Sequence, residues 1–279
     1  MAGGVLYVVA TPLGNLEDVT LRALRVLGEV DLIAAEDTRR TRILLEHHGI
    51  RRPLTSYHDA VERRRAPALV ARLVDGARLA LVSDAGTPGV ADPGYHLVRG
   101  ALAAGIPVVP VPGPSAVVAL VSVAGLPAER FVFEGFLPSR AGPRAARLAA
   151  LAREPRAMVF FEAARRLGAF FEAAERAFGE RDAVVGRELT KRYEEILRGT
   201  LPTLRAEVAG RVVLRGEVTV LVAGAVPGAA EAEVPGLDDE IRRALAAGRS
   251  LRDLSAEIAR RHGRPRREVY QRALELAAG

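Results

Sequence analysis

Four short apolar segments in the first 112 residues each run into a loop of unusual composition. Val5–Ala10 ends in Thr-Pro-Leu-Gly-Asn, Leu32–Ala35 in Glu-Asp-Thr-Arg, Leu79–Val82 in Ser-Asp-Ala-Gly-Thr-Pro-Gly, and Val108–Val111 in Pro-Gly-Pro-Ser-Ala. Helical patterns separate these segments. Uninterrupted apolar strands that alternate with helices predict a parallel sheet covered on both faces. We therefore expect residues 1–112 to form an α/β domain.

The chain from residue 113 to 226 is predicted to form a second α/β domain. Strand-like segments begin at Phe131 and continue at Met158–Phe161, Ala183–Gly186 and Glu217–Ala223. They lie further apart than the first four and leave room for hairpins, so we expect a mixed sheet. Residues 227–279 begin with a linker rich in Ala, Gly, Pro and Glu. Three short helical patterns follow it, which predicts a small basic helical appendage.

Composition narrows the class of protein. The 279 residues exceed a comfortable single domain of about 100–200 residues. The absence of cysteine excludes a disulfide framework and a thiolate metal site. The sequence has no charge-free apolar run of about 18 residues, which a transmembrane helix would need. Its first residues lack the basic segment of a signal peptide. We expect a soluble cytoplasmic protein that spans no membrane.

Positive charge is concentrated at the C-terminal end. The formal net charge is +6, and residues 238–279 carry ten arginines against seven acids. This balance allows binding to RNA, DNA or an anionic membrane surface and does not choose among them. An ordinary solvated helical tail fits the charge equally well.

The four loops predict a ligand cleft. Ligands of open parallel sheets bind beyond the carboxyl ends of the strands, where this chain places its loops. Glycine lets the backbone approach a ligand closely, and the N–H groups that open the helix after Pro-Gly-Pro-Ser-Ala can face a polar or anionic group. Gly-Pro turns also simply end strands, but four at one sheet edge favour a cleft.

Several common sites are not supported. No loop has the GxGxxG spacing of a nicotinamide-binding Rossmann domain or the GxxxxGK[ST] spacing of a P-loop NTPase. The five histidines are scattered without metal-ligand spacing, so we predict no metal site. No GxSxG elbow is present, which leaves a serine hydrolase unsupported.

A family resemblance rests on seven motifs that occur in order over residues 5–223. They are VATPLGNLEDVTLRAL (Val9–Leu24), AEDTRRT (Ala35–Thr41), VSDAGTPGVADPG (Val82–Gly94), VPGPSA (Val111–Ala116), FEGFLP (Phe133–Pro138), RELTKRYEE (Arg187–Glu195) and GEVTVLV (Gly216–Val222). One such motif alone is weak, whereas seven in order are specific. The chain resembles the bacterial ribosomal RNA small-subunit methyltransferase I family, within the tetrapyrrole (corrin/porphyrin) methylases.

The resemblance implies a fold, a cofactor and a reaction. The fold has two α/β domains with S-adenosyl-L-methionine in the cleft between them, usually in a homodimer. The reaction is 2′-O-methylation of a cytidine in small-subunit (16S) ribosomal RNA, so the expected partner is that RNA or the assembled subunit. Cofactor-binding candidates carried over from the family are Pro12, Leu13, Asp84, Gly86, Thr87, Ser115, Ala116, Phe161 and Glu162.

Two alternatives stay open. The first is a methyltransferase that acts on a corrinoid or porphyrin precursor. Relatives of that kind tend to carry Gly-Asp-Pro where this chain has Ser83-Asp84-Ala85, a departure that favours the RNA branch. The second is a non-catalytic RNA-binding module, which would have no need of a cofactor cleft.

A ribose hydroxyl is a poor nucleophile, and a positioned base typically accelerates its reaction by roughly 10²–10⁴-fold. Lys191, the only lysine among forty basic residues, is our first candidate for base or hydroxyl orienter, because a desolvated lysine can lose its proton and an arginine cannot. Chance retention on a solvated helix would also explain it. The alternates are Glu188, Glu36 and Asp37, which are equally suited to salt bridges with nearby arginines. Predicted phosphate contacts are Arg39, Arg40, Arg42, Arg140, Arg144, Arg260, Arg261, Arg264 and Arg266.

Overall fold

The computed structural model of the chain describes residues 3–211, 215–226, 237–262 and 264–278. Contacts divide the chain into two compact units, Met1–Ala225 and Val226–Gly279, and each is described by itself. None of the helices described is long and apolar enough to cross a membrane. The predicted division of the larger unit between residues 112 and 113 stays a prediction.

The first sheet of the larger unit is parallel throughout, as predicted. Its described strands are β1 (Val5–Val9), β2 (Leu32–Ala35), β3 (Leu54–Ser56), β4 (Arg78–Val82) and β5 (Val108–Val111). They lie in the order β3-β2-β4-β1-β5, and every pairing between them is parallel. The carboxyl ends of these strands therefore meet at one edge of the sheet.

Helices cover both faces of this sheet. They are α1 (Leu21–Glu29), α2 (Thr38–His47), α3 (Asp59–Val74) and α4 (Tyr95–Ala103). On one face, α1 and α2 bury residues such as Val26 and Leu44 against the strands. On the other face, α3 and α4 bury Leu73 and Leu97. The strands need apolar side chains in both directions, which accounts for their uninterrupted apolar sequences.

The second sheet is mixed, again as predicted. Its described strands are β6 (Phe131–Phe136), β7 (Ala157–Ala163), β8 (Asp182–Arg187), β9 (Glu195–Thr200) and β10 (Glu217–Val222). They lie in the order β6-β7-β10-β8-β9. The β6–β7 pair is parallel and the other pairs are antiparallel. The sheet is thus a parallel pair, β6–β7, extended by three strands that pair antiparallel.

The helices of the second sheet pack on opposite faces. On one face lie α6 (Ala141–Ala150), α7 (Leu167–Phe178) and α8 (Leu201–Ala209), which share a core with Phe160 and Val220. On the other face, α5 (Ala116–Ala124) buries Val117 and Leu120 against Val159 and Leu221. Because α5 follows β5 in the chain, the last strand of the first sheet leads directly to a helix that packs on the second sheet.

The smaller unit contains α9 (Leu237–Ala246), α10 (Leu251–His262) and α11 (Arg266–Ala278). Their shared core includes Ile241, Leu254 and Val269. The N–H of Asp253 donates to Ser250 Oγ at 3.2 Å, so Ser250 caps the start of α10. The expected helical appendage is therefore present in the structure.

Candidate active site

A pocket of about 430 Å³ lies between the loops at the carboxyl edge of the first sheet and the β7, β8 and β10 region of the second. Eight of the nine cofactor candidates line it, namely Leu13, Asp84, Gly86, Thr87, Ser115, Ala116, Phe161 and Glu162. Pro12 is the exception. The structure thus brings candidates from four separate segments to one cavity, and their contact with a cofactor stays a prediction.

Hydrogen bonds tie the first-sheet loops to one another. Thr11 and Gly86 exchange backbone hydrogen bonds, with N–H···O distances of 2.8 and 2.9 Å. The hydroxyl of Thr11 donates to the Ser83 carbonyl at 3.0 Å, and that of Thr87 donates to the Pro114 carbonyl at 3.3 Å. Gly86 has a φ of +78°, which an L side chain rarely adopts. Three loops therefore share a fixed arrangement around the pocket.

One wall of the pocket is apolar. The ring of Phe161 packs edge-on against Phe133 with ring centroids 4.9 Å apart, and the ring centroid of Phe136 lies 5.6 Å from that of Phe161.

The start of α5 offers backbone donors to the pocket. Ser115 is the N-cap of α5, and no side chain caps that end of the helix. The first N–H groups of α5 are therefore open to a polar or anionic ligand group.

Acidic side chains outnumber basic ones around the pocket. Among the residues described, the charged groups lining it are Glu36, Asp84, Asp92, Glu162 and Glu217 against Arg40, Arg165 and Lys191. This excess of carboxylates favours a cationic ligand. The described residues contain no group of three or more His, Cys, Asp or Glu side chains suited to hold a metal ion.

Three carboxyl groups cluster at the ends of β2 and β4. The N–H of Asp84 donates to Glu36 Oε2 at 3.1 Å, and Arg40 Nε lies 3.5 Å from Asp84 Oδ2. Burial raises the pKa of Glu36, and the charge of Asp84 adds to the rise. Burial also raises the pKa of Asp92 to about 7, with the charge of Glu36 as the next contribution.

Lys191 lines the pocket and is held there by two carboxylates. Its Nζ donates to Glu188 Oε1 at 2.9 Å and to Glu217 Oε2 at 3.1 Å. Burial lowers the pKa of Lys191, but the hydrogen bonds and charges of Glu188 and Glu217 outweigh it, so the pKa is raised overall. The ammonium form is thus favoured, which supports the role of hydroxyl orienter over that of base.

The turn that presents Lys191 is strained. Glu188 and Thr190 have φ values of +51° and +65°, and a β-branched residue is rare in this region. The side chain of Lys191 lies directly over Gly14, where a Cβ would overlap it. The N–H of Asn15 donates to Thr190 Oγ1 at 3.3 Å. Lys191 therefore sits on a turn, where a solvated helix was the alternative, and the turn is joined to the loop after β1.

Glu188 and Asp37 do not line the pocket. Burial raises the pKa of Glu188, but the hydrogen bond from Lys191 and other interactions leave it lowered overall. Asp37 is the N-cap of α2 and accepts the Arg39 N–H at 2.9 Å. Hydrogen bonds from Arg39 lower the pKa of Asp37 to about 2. Asp37 is thus paired with an arginine, as its alternative reading proposed, whereas Glu188 is paired with Lys191 instead.

The arginine candidates are spread over both units. Arg40 lines the pocket, whereas Arg39 does not, and its side chain is 87% exposed. The others in the larger unit, Arg42, Arg140 and Arg144, do not line the pocket. In the smaller unit, Arg264 pairs with Glu268 at 2.5 Å, and Arg266 donates to the Arg252 carbonyl at 3.2 Å. The side chains of Arg260 and Arg261 lie outside the described residues.

Sequence reasoning missed three charged residues of the pocket: Asp92, Arg165 and Glu217. Asp92 and Glu217 stand inside the motifs Val82–Gly94 and Gly216–Val222, so the motifs themselves were the available signal. Arg165 follows β7 in a short 3-10 helix, Ala164–Arg166, and no feature of the sequence sets it apart from other arginines.

Two family models match the chain. Residues 5–205 match the model of the Tetrapyrrole (Corrin/Porphyrin) Methylases, and residues 231–277 match that of the RsmI C-terminal HTH domain. The first covers most of the larger unit, which contains the pocket. The second covers the three helices of the smaller unit.

Curated relatives match over nearly the full length. Three of them, each named Ribosomal RNA small subunit methyltransferase I, come from Mesorhizobium japonicum, Pseudomonas aeruginosa and Mycobacterium tuberculosis. They are 46%, 46% and 44% identical to this chain and cover 97%, 99% and 99% of it. The matches cover 92%, 98% and 96% of the relatives themselves.

Solved structures share the fold of the larger unit. The methyltransferase CobJ has a TM-score of 0.61 at 24% identity and matches 80% of this chain and 95% of its own. Uroporphyrin-III C-methyl transferase from Thermus thermophilus, complexed with S-adenyl homocysteine, has a TM-score of 0.56 at 20% identity, with 78% and 97% covered. On the strength of the family model and the nearly full-length relatives, the chain belongs to the ribosomal RNA small subunit methyltransferase I family of tetrapyrrole methylases.

Proposed function

We propose that this chain is an S-adenosylmethionine-dependent methyltransferase that methylates the 2′-hydroxyl of a cytidine in small-subunit ribosomal RNA. The observation that carries the proposal is the similarity to relatives named Ribosomal RNA small subunit methyltransferase I, which extends over 97–99% of this chain. The two-sheet unit and the helical unit are both included in this similarity. A binding module that had lost catalysis would not need the pocket between the sheets.

The pocket fits S-adenosylmethionine in size and chemistry. Its volume of about 430 Å³ lies within the roughly 300–1,000 Å³ of small-molecule sites. Glu162 lines the cavity. Its Oε2 atom is buried and has no hydrogen-bond partner among the described residues. A buried polar atom of this kind supports a ligand that supplies the missing partner.

The residues that would hold the cofactor divide by chemistry. Leu13, Ala116 and Phe161 offer apolar surface, and the start of α5 with Ser115 offers hydrogen-bond donors. The excess of carboxylates matches a positively charged ligand. When bound, S-adenosylmethionine supplies a methyl group on a sulfonium, which an oxygen nucleophile displaces in line.

The chain's own part in the reaction is to align the nucleophile and exclude competing water. Well-oriented reactants lower a barrier by as much as about 7–11 kcal/mol. Lys191, held as an ammonium by Glu188 and Glu217, is suited to orient the ribose hydroxyl or a neighbouring phosphate. Exposed arginines such as Arg39 and Arg165 would hold further phosphates without reading sequence.

The smaller unit would bind ribosomal RNA outside the modified nucleotide. It matches a helix-turn-helix family model and carries more arginines than acids from residue 238 onward. Phosphate contacts of this kind contribute affinity and a strong salt dependence. We also propose that the protein acts as a homodimer in the cytoplasm.

Methylation of a corrinoid or porphyrin precursor is the second candidate. Solved structures with this fold include CobJ and uroporphyrin-III C-methyl transferase. They match at most 80% of this chain while nearly all of their own length is matched. About a fifth of this chain is thus extra to the tetrapyrrole enzymes, and an RNA substrate gives that part a purpose.

A label-transfer experiment tests the proposal. The purified protein is incubated with tritiated S-adenosylmethionine and small ribosomal subunits from a strain lacking the modification, with a corrin precursor in parallel. We expect label in the RNA at an alkali-resistant phosphodiester, which marks 2′-O-methylation. Label in the tetrapyrrole alone would overturn the substrate and leave the cofactor standing.

A matched pair of glycine variants tests the pocket. Gly86→Ala and Gly105→Ala both place a side chain at positive φ, +78° and +71°. Only Gly86 lines the pocket, and a Cβ at Gly105 would meet nothing within 4 Å. We expect weaker S-adenosylmethionine binding for Gly86→Ala alone. Equal affinity in both variants would contradict the assigned cofactor site.

A further inference from the structure

Asp92 is the carboxyl group of the pocket that no assigned role uses. It lies in the loop between β4 and α4 and lines the cavity together with Glu36 and Asp84. No described cation forms an ion pair with it, whereas Asp84 pairs with Arg40 at 3.5 Å. A carboxylate without a counterion at a ligand cavity is unusual for a purely structural residue.

The loop holds Asp92 in a fixed place. Ala91, the residue before it, has a φ of +64°, which costs free energy for a residue with a side chain. After it, Pro93 is buried and the N–H of Gly94 donates to Glu62 Oε2 at 3.1 Å. A polar residue that follows strained backbone and precedes a hydrogen-bonded segment is held in place, and backbone strain of this kind is concentrated at functional sites.

The neighbouring acids are already engaged. Glu36 accepts the N–H of Asp84 at 3.1 Å. Asp84 accepts the N–H of Asp37 at 2.9 Å in addition to its contact with Arg40. Because a carboxylate that accepts backbone hydrogen bonds or pairs with a cation is less free to accept a proton, and the carboxylate of Asp92 does neither in the described part of the chain, Asp92 is the acid of the cluster best placed to act on a ligand.

We propose that Asp92 is the catalytic residue that accepts the proton of the ribose 2′-hydroxyl during methyl transfer. This rests on the proposed function. As the hydroxyl oxygen forms its bond to the methyl carbon, the carbon–sulfur bond breaks and its electron pair stays on sulfur. The hydroxyl proton passes to a carboxylate oxygen of Asp92, which later releases it to water.

The surroundings of Asp92 tune it for this task. Burial raises its pKa to about 7, and the charges of Glu36, Asp84 and Asp59 add to the rise, while the Ser83 hydroxyl opposes it. Arg40, through its contact with Asp84, is the cation facing the cluster. A general base works best when its pKa lies near the operating pH. An ordinary aspartate would be too weak a base for an alcohol.

The test compares Asp92→Asn with Asp59→Asn. Asp59 is exposed at the start of α3 and does not line the pocket, yet its charge helps to raise the pKa of Asp92. Single-turnover methylation of unmodified small subunits is measured from pH 5.5 to 9 at saturating S-adenosylmethionine. Cofactor affinity is measured separately by calorimetry.

For the wild type we expect the rate to rise with pH through about 7 and then level off. Asp92→Asn should lower the plateau by about 100-fold or more, with cofactor affinity within about twofold of wild type. Asp59→Asn should keep the plateau and move the rise to lower pH, because the loss of a negative charge lowers the pKa of Asp92. Asp92→Glu should recover part of the rate.

Two results would overturn the proposal. One is an unchanged plateau in Asp92→Asn. The other is a loss of rate that follows a loss of cofactor binding, which would make Asp92 a cofactor ligand. If Asp92→Asn fails to fold, the pH profile of Asp59→Asn still decides, and an unshifted profile counts against Asp92. If the wild-type protein transfers no methyl label to RNA, the proposed function itself is refuted.

Discussion

Replacing Asp92 with asparagine is expected to make the folded protein more stable at pH 8. The pKa of the carboxyl rises from 3.8 to about 7 in the folded chain, chiefly because of burial. Between these two values the native state binds more protons than the unfolded state, so stability falls as pH rises through that window. Below about pH 4 the group contributes nothing, and above pH 7 its destabilisation is complete.

The size of the effect follows from the shift. About three pKa units at ~1.36 kcal/mol each set an upper limit of about 4 kcal/mol. The side chain is partly exposed, so solvent screening reduces this to about 1–2 kcal/mol. Asparagine has a similar shape and no charge, so Asp92→Asn should recover that amount at pH 8 and less at pH 5. For a chain of this size, that corresponds to a rise of about 2–8 °C in the melting temperature.

Urea denaturation followed by circular dichroism measures the difference at pH 4, 5 and 8. The exposed Glu129→Gln serves as the control for loss of a carboxylate elsewhere on the surface and should show no comparable gain. Should Asp92→Asn be no more stable than wild type at pH 8, the carboxyl would not be the strained, half-neutral group inferred from its burial. The reasoning about its chemistry would then lose its physical basis.

Three further predictions address other parts of the molecule. Gly14→Ala should lower kcat about tenfold or more, because the new Cβ displaces the side chain of Lys191. Gly142→Ala is the control and should leave kcat unchanged, because a Cβ there meets open space. Equal kcat values in the two variants would mean that Lys191 needs no fixed position. Lys191→Arg should keep more activity than Lys191→Met in single-turnover assays, because a cation suffices to orient a hydroxyl; total loss in both would restore Lys191 as the base. Arg266→Ala should reduce the slope of log affinity for ribosomal RNA against log salt by about one, and an unchanged slope would remove Arg266 from the RNA contacts.

The fold could largely be predicted because its central strands are buried on both faces. The strands that the apolar pattern missed are β3 and β9, which lie at the outer edges of their sheets. Their residues are mostly half-buried or exposed. An edge strand has one neighbour and meets solvent on its other side, so its sequence lacks the continuous apolar run that marks a central strand.

The site was predictable as a location and less so as a set of roles. Parallel strands bring their carboxyl ends to one edge, so loops far apart in sequence, such as those at Leu13 and Ser115, had to meet there. Which acid is paired and which is free depends on contacts between the two sheets and on side-chain burial. No spacing in the sequence encodes that Arg40 faces Asp84 or that Glu217 shares Lys191 with Glu188.

The excess of carboxylates around the pocket has a consequence for the order of events in turnover. S-adenosylmethionine carries a sulfonium charge that its demethylated product lacks, so the acids attract the reactant form more strongly than the product. On the proposed assignment of the pocket, each methyl transfer would therefore weaken the binding of the spent cofactor. On the same assignment, the acids would repel the phosphates of the RNA from the interior of the pocket, so that the target ribose would enter while the backbone stays at the rim. The charge of the pocket would thus favour release of the spent cofactor and keep the RNA backbone outside.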